Sequence, residues 1–241
     1  MQTALLSYFP GMYYYMDPTY VLVIIGAVIC MLASANVSRT FNKYSRYHSK
    51  RGLTGAQTAE MILRSAGITD VRIEHISGQL TDHYDPRAKV VRLSDSVYGA
   101  SSIAAVGVAA HECGHAVQHA RMYAPLKMRS ALVPVVNFSS SIMTWVLLGG
   151  ILLFNTFPQL LWIGIILFAT TTLFSFITLP VEINASKRAL VWLSSSGITN
   201  SYNHTQAEDA LRSAAYTYVV AALGSLATLI YYIMIAMGRR D

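Results

Sequence analysis

The sequence predicts a membrane protein, mainly α, in which four transmembrane helices carry a small α+β domain on one side of the bilayer. Three observations support this class. Of 241 residues, 54% are hydrophobic and only 12% are charged, whereas a soluble domain has about a quarter charged residues. With a mean hydropathy of +0.41, so few charges cannot coat a 26.5 kDa globule. Several stretches stay charge-free over the roughly 20 residues that a helix needs to cross about 30 Å of hydrocarbon. Finally, 13 of the 18 Lys and Arg lie between Arg39 and Arg129. Basic charge gathered beside apolar spans reads as membrane orientation, not as a nucleic-acid surface. The two cysteines, Cys30 and Cys113, are too few for a disulfide framework or a thiolate zinc site.

Residues 1–19 include Tyr13, Tyr14 and Tyr15, which suit an interfacial aromatic belt. The first span is 20–37 (YVLVIIGAVICMLASANV). Ala33-Ser34-Ala35 resembles a signal cleavage site, but no Lys or Arg precedes the span, so it reads as a retained anchor. Arg39, Lys43, Arg46, Lys50 and Arg51 follow it directly and place this side in the cytoplasm, with the N-terminus outside. The polar segment 38–130 comes next. Thr54 with Gln57 reads as a capping box that opens a helix running to about Ala66, and Gly67 closes it. Residues 71–76 read as a strand, and 83–93 as a second strand or a hairpin after an Asp-Pro turn. A small-residue helix begins at Ser101 or Ser102, and its apolar stretch is too short to span.

Spans two (131–154) and three (159–180) are joined by an uncharged turn and form a hairpin that returns the chain to the cytoplasm. Pro180 suits the first turn of a new helix in the second cytoplasmic segment, 181–215, ending near Gly197. Thr205 with Glu208 caps another helix leading towards the fourth span, 216–237. Arg239 and Arg240 then fall outside, a mild conflict that the more numerous cations of the first loop outweigh.

His111-Glu112-Cys113-Gly114-His115 is an H-E-x-x-H motif on a predicted helix. One turn puts both imidazoles on one face, where they can ligate one zinc ion, and Glu112 falls beside the metal-bound water. A catalytic site needs a third protein ligand. His119 lies about 12 Å along the axis from His111, too far for bonds of about 2 Å, and the helix-breaking glycine that solves this in metzincins is Gln118 here. Glu182 is the better candidate, just past the membrane hairpin on the same side of the bilayer. It shares a helix face with Ala185, Ser186 and Ala189. The alanines permit close approach, and Ser186 can accept a hydrogen bond from a ligating histidine. Cys113 points away from the metal and reads as a packing residue.

On these residues the chain resembles the bacterial YugP-type membrane zinc metallopeptidases, also called neutral zinc metallopeptidases. The similarity runs through FNKYS and GLTGA (41–56), LTDHYDPR and VVRLSDSVY (80–98), SIAAVGVAAHECGHAVQHA, YAPLKMRSALVPV (123–135), LPVEINASKRAL and AAYTYVVAAL, nearly the whole chain. More distantly, the layout is similar to HtpX and the CAAX prenyl proteases, gluzincins in which a membrane hairpin also separates H-E-x-x-H from an E-x-x-x-D helix. The resemblance implies a zincin-like cytoplasmic catalytic domain with one zinc ion per chain, ligands His111, His115 and Glu182, and Glu112 as catalytic base. The Asp expected four residues after the ligand Glu is Ser186 here. The expected activity is a zinc-dependent endopeptidase in the bacterial inner membrane, acting on membrane-associated peptide or protein substrates.

A second oxyanion donor is expected by analogy, and His204, Arg212, Tyr216 and Tyr218 are available; the sequence does not choose among them. The run 89–93 precedes the active-site helix and is a candidate to pair with an extended substrate, with an ordinary structural strand the equal alternative. His48, His75 and His83 lack partner spacing and read as surface residues. Three rival classes are a metal-binding scaffold or chaperone without proteolysis, against which Glu112 argues, a transporter or channel, which needs charged or broken-helix positions in spans that here lack Asp, Glu, Lys and Arg, and a site-2-type intramembrane protease. The last needs an Asp ligand from a span, and spans two and three contain none.

Overall fold

The computed structural model describes residues 20–238, so the expectations for the N-terminal aromatic cluster and for Arg239 and Arg240 lie outside the described residues. In chain order the elements are α1 (Tyr20–Tyr44), α2 (Gly55–Ser65), β1 (Arg72–Ile76), β2 (His83–Asp85), β3 (Val90–Ser94), α3 (Ile103–Ala120), α4 (Ala124–Leu152), α5 (Pro158–Ser195) and α6 (Ser201–Gly238). Four of these, α1, α4, α5 and α6, are long and apolar enough to cross a membrane. Their outward faces are bare hydrocarbon: Trp145 is 75% exposed and Leu152 74%. Such surface is stable only against lipid.

α4 packs on α5, α5 on α6 and α6 on α1, giving a row of four. Small residues let the backbones close in. A Cβ at Gly150 would stand 2.5 Å from the Leu161 Cα, and one at Gly164 would meet the Leu147 side chain at 2.7 Å. The polar domain sits at one end of this row. Its α2 opens with the expected capping box, Thr54 and Gln57 exchanging side-chain bonds with each other's backbone, and stops where Gly67 turns at φ +71°. Its sheet has the order β1-β3-β2, with β1 parallel and β2 antiparallel to β3. α3 is buried in the domain core, flanked by α2 and α5.

Two local expectations are corrected, and one open choice is decided. Pro180 does not start a helix but lies inside the continuous α5. It removes one ladder bond from a 38-residue helix held by α3, α4 and α6, a loss that packing against neighbours can carry. α6 is capped by Asn200, not by Thr205. The Asn200 Oδ1 accepts from the backbone N–H of Tyr202 and Asn203 at 3.0 and 2.9 Å, and the Asn203 side chain accepts in return from the Asn200 N–H. Of the two readings of 89–93, the ordinary structural strand is the one observed: β3 is the central strand, with both edges engaged by β1 and β2. Its backbone has no free edge for a substrate, and the exposed edge nearest the H-E-x-x-H helix belongs to β2.

Candidate metal centre

The centre is built where α3 crosses α5. Ser102 caps α3 by accepting from the Ala105 N–H at 3.2 Å, and the run from Ile103 to Ala110 buries nearly every residue, fixing the rotation of the helix. His111 and His115 then face α5, with ring centroids 4.8 Å apart and planes at 88°. α5 can approach because residue 114 lacks a side chain: a Cβ there would stand 2.8 Å from the Ala185 carbonyl oxygen. Ala185 and Ala189 complete the close contact, both almost fully buried.

That contact delivers Glu182. Its Oε2 lies 3.2 Å from Nε2 of His111 and 3.4 Å from Nε2 of His115, and its side chain is 3% exposed. The ligand atoms of His111, His115 and Glu182 all lie within 4.8 Å of one another. Atoms bound at about 2.0–2.2 Å to one tetrahedral zinc stand roughly 3.3–3.6 Å apart. The two carboxylate–imidazole separations, 3.2 and 3.4 Å, match that spacing, so this donor set fits the ion.

The outer atoms of all three groups are held. Nδ1 of His111 lies 3.1 Å from Ser186 Oγ, and Nδ1 of His115 lies 3.1 Å from Gln118 Oε1. The Gln118 amide is oriented without ambiguity, because its Nε2 donates to Val181 O at 2.8 Å and to Asn184 Oδ1 at 3.0 Å. Its Oε1 must therefore accept from His115 Nδ1–H, leaving the Nε2 lone pair of neutral His115 turned inward. The Arg129 guanidinium donates to Glu182 Oε1 at 3.2 Å.

Electrostatics agree with a cation at the centre. Burial acts to raise the Glu182 pKa, but hydrogen bonds and charge from His111 and His115 outweigh it and hold the carboxyl well below the usual range. For His115, burial opposes charge, yet Glu182 and Glu112 together move its pKa up. Positive charge is thus favoured between these groups even though they are largely shut off from water.

Glu112 lies beside the centre, buried, on a cleft of about 290 Å³. Asp82, His83, Tyr84 and Pro86 form one wall of the cleft. Leu126, Arg129, Ser130 and Val133 of α4 form another, and Tyr218 of α6 completes the lining. Among the four oxyanion candidates, Tyr218 lines this cleft. His204 instead pairs with Thr199 at 3.1 Å, and Arg212 and Tyr216 are exposed away from it. Cys113 faces α2, its Sγ 3.6 Å from the Ala59 carbonyl, and burial pushes its thiol well up. His119 is exposed and its Nδ1 shares a hydrogen bond with the Tyr84 hydroxyl at 2.8 Å. His48 and His75 pair with Ser101 and Asp95, remote from the centre.

Sequence reasoning missed Gln118 and Arg129. Gln118 lies three residues after His115 on the same helix face, a spacing that signals an orienting partner. In the sequence Arg129 reads only as part of the basic run that sets topology. Its role depends on α4 lying beside α5, which local sequence does not encode.

A family model described as "Putative neutral zinc metallopeptidase" matches residues 19–237. The "Putative membrane protease YugP" of Bacillus subtilis (strain 168) is 46% identical over 209 residues, covering 87% of this chain and 92% of that protein. No solved structure gives a significant match. With its four apolar spans and a match over nearly its full length, the chain is a multi-pass membrane protein that belongs to the neutral zinc metallopeptidase family.

Proposed function

We propose that this protein is a zinc-dependent endopeptidase of the bacterial inner membrane that hydrolyses peptide bonds at the cytoplasmic membrane surface. The observation that carries the reading is the convergence of two inward imidazole nitrogens and the Glu182 carboxylate at 3.2–3.4 Å, with Glu112 beside them in an open cleft. His111, His115 and Glu182 would hold one zinc ion, which when bound would supply a water of lowered pKa and polarise the scissile carbonyl. Glu112 takes the proton of the attacking water and passes it to the leaving amine. The Tyr218 hydroxyl, which lines the same cleft, donates to the developing oxyanion. Backbone groups on the free edge of β2 align an extended substrate across the cleft. The cytoplasmic orientation follows from the Lys and Arg gathered between Arg39 and Arg129.

The test compares the purified parent with the Glu112→Gln variant for zinc content and cleavage of an unfolded reporter. Zinc near one per chain in both, with cleavage in the parent alone, is the expected result. Equal cleavage by both would remove Glu112 as the base, and zinc without cleavage in the parent would favour a metal-binding scaffold.

A further inference from the structure

Resting on the proteolytic reading above, we infer that the substrates are membrane-inserted proteins cut at the boundary of a transmembrane segment, which reaches the centre along a polar groove between α4 and α6. Glu182 follows Pro180 by two residues and Arg129 precedes Ala131 by two. Each is therefore about 3 Å of helix rise beyond the end of its apolar span, within a headgroup layer of roughly 5–7 Å. The cleft thus opens at the level of the lipid headgroups. Its two membrane-side walls, Val133 on α4 and Tyr218 on α6, come from helices that pack on α5 rather than on each other.

Below the cleft the groove is polar. On the Glu182 face of α5, Thr178, Ser175 and Thr171 recur at helical spacing, and Asn137 and Ser140 continue the Val133 side of α4. The hydroxyls of Thr171, Ser175 and Thr178 donate to their own helix, at Phe168 O, Thr171 O and Phe174 O, and each keeps accepting lone pairs. The Asn137 side chain is exposed, and among the described residues it has no hydrogen-bond partner. It lies about 12 Å along α4 from Arg129, and Ser175 lies about 10 Å along α5 from Glu182, so both sit at a similar depth in the hydrocarbon. An unpaired amide there is costly unless something occupies the groove.

A transmembrane segment whose end unwinds to enter the cleft has the complementary need. Its freed N–H and C=O groups have no water at that depth and require partners. The hydroxyl lone pairs and the Asn137 amide supply acceptors and donors for them. A soluble peptide, hydrated throughout, gains nothing from the groove.

The experiment uses full-length protein in vesicles of phosphatidylethanolamine and phosphatidylglycerol. One reporter is a single transmembrane helix with an unstructured tail, and the other is the same tail as a free peptide. The parent is expected to cut the anchored reporter within a few residues of its span, mapped by mass spectrometry. Asn137→Leu with Ser175→Val should lower kcat/KM for the anchored reporter about tenfold through two lost hydrogen bonds, with the free peptide unchanged within about twofold. A parallel fall for both reporters, no fall for either, or cuts scattered through the tail would overturn the inference while leaving proteolysis intact. Zinc-loaded parent that cuts neither reporter would overturn the proteolytic reading itself.

Discussion

Replacing Gly114 by Ala should damage the centre without touching a ligand. The new Cβ would lie 2.8 Å from the Ala185 oxygen, 3.1 Å from its Cα and 3.3 Å from its carbonyl carbon, all backbone atoms that no rotamer change can move aside. Restoring ordinary contact of about 3.5 Å requires α5 to retreat from α3 by roughly 0.7 Å. Overpacking of this kind costs about 1–3 kcal/mol. The larger effect falls on the metal, because ligand distances tolerate only about 0.2 Å and the retreat carries Glu182 away from both histidines. A loss of about 10–100-fold in zinc affinity follows, comparable to removing a group that orients a ligand. Gly107→Ala on the same helix is the control. Nothing lies within 4 Å of its Cβ, so it should stabilise α3 by about 0.5–1 kcal/mol. Both variants are measured in detergent by competition with a chromophoric chelator and by thermal unfolding. Parental zinc affinity and unchanged Tm in Gly114→Ala would refute the close-packing argument.

Gln118→Leu keeps every ligand but frees the His115 ring. Zinc affinity should drop about 10–100-fold, read by the same competition assay. Arg129→Met leaves Glu182 Oε1 without its partner. Because the Arg129 side chain is 32% exposed, the expected loss in the zinc-free protein is about 1–2 kcal/mol, below the roughly 3–5 of a fully buried pair, measured by denaturant unfolding. Burial raises the Tyr84 pKa from 10.0 to about 12. A raised folded pKa contributes stability that is full below pH 10 and lost as pH rises towards 12. Tyr84→Phe should flatten that alkaline decline in a pH series of unfolding curves.

The four apolar helices were legible because charge exclusion over a span is a one-dimensional signal, and H-E-x-x-H because one helical turn brings its residues together. Glu182 was legible through topology, since a hairpin must return the chain to the same side. Helix boundaries were less so. Pro180 and the Thr205–Glu208 pair are sound local start signals, but tertiary packing carried α5 through the first, and Asn200 capped α6 before the second. The central place of β3 depends on a parallel pairing with β1 across an intervening strand. Strand alternation cannot reveal such an order. Gln118 and Arg129 emerge only once α3, α4 and α5 are placed side by side.

The most direct measurement is the zinc K-edge absorption spectrum of the purified protein beside its Glu182→Ala variant. Two imidazole nitrogens and carboxylate oxygen at about 2.0–2.2 Å, with one oxygen donor lost or replaced by water and weaker binding in the variant, is the expected result. A sulfur scatterer at about 2.3 Å, or spectra and affinities identical in both proteins, would contradict a centre assembled from α3 and α5.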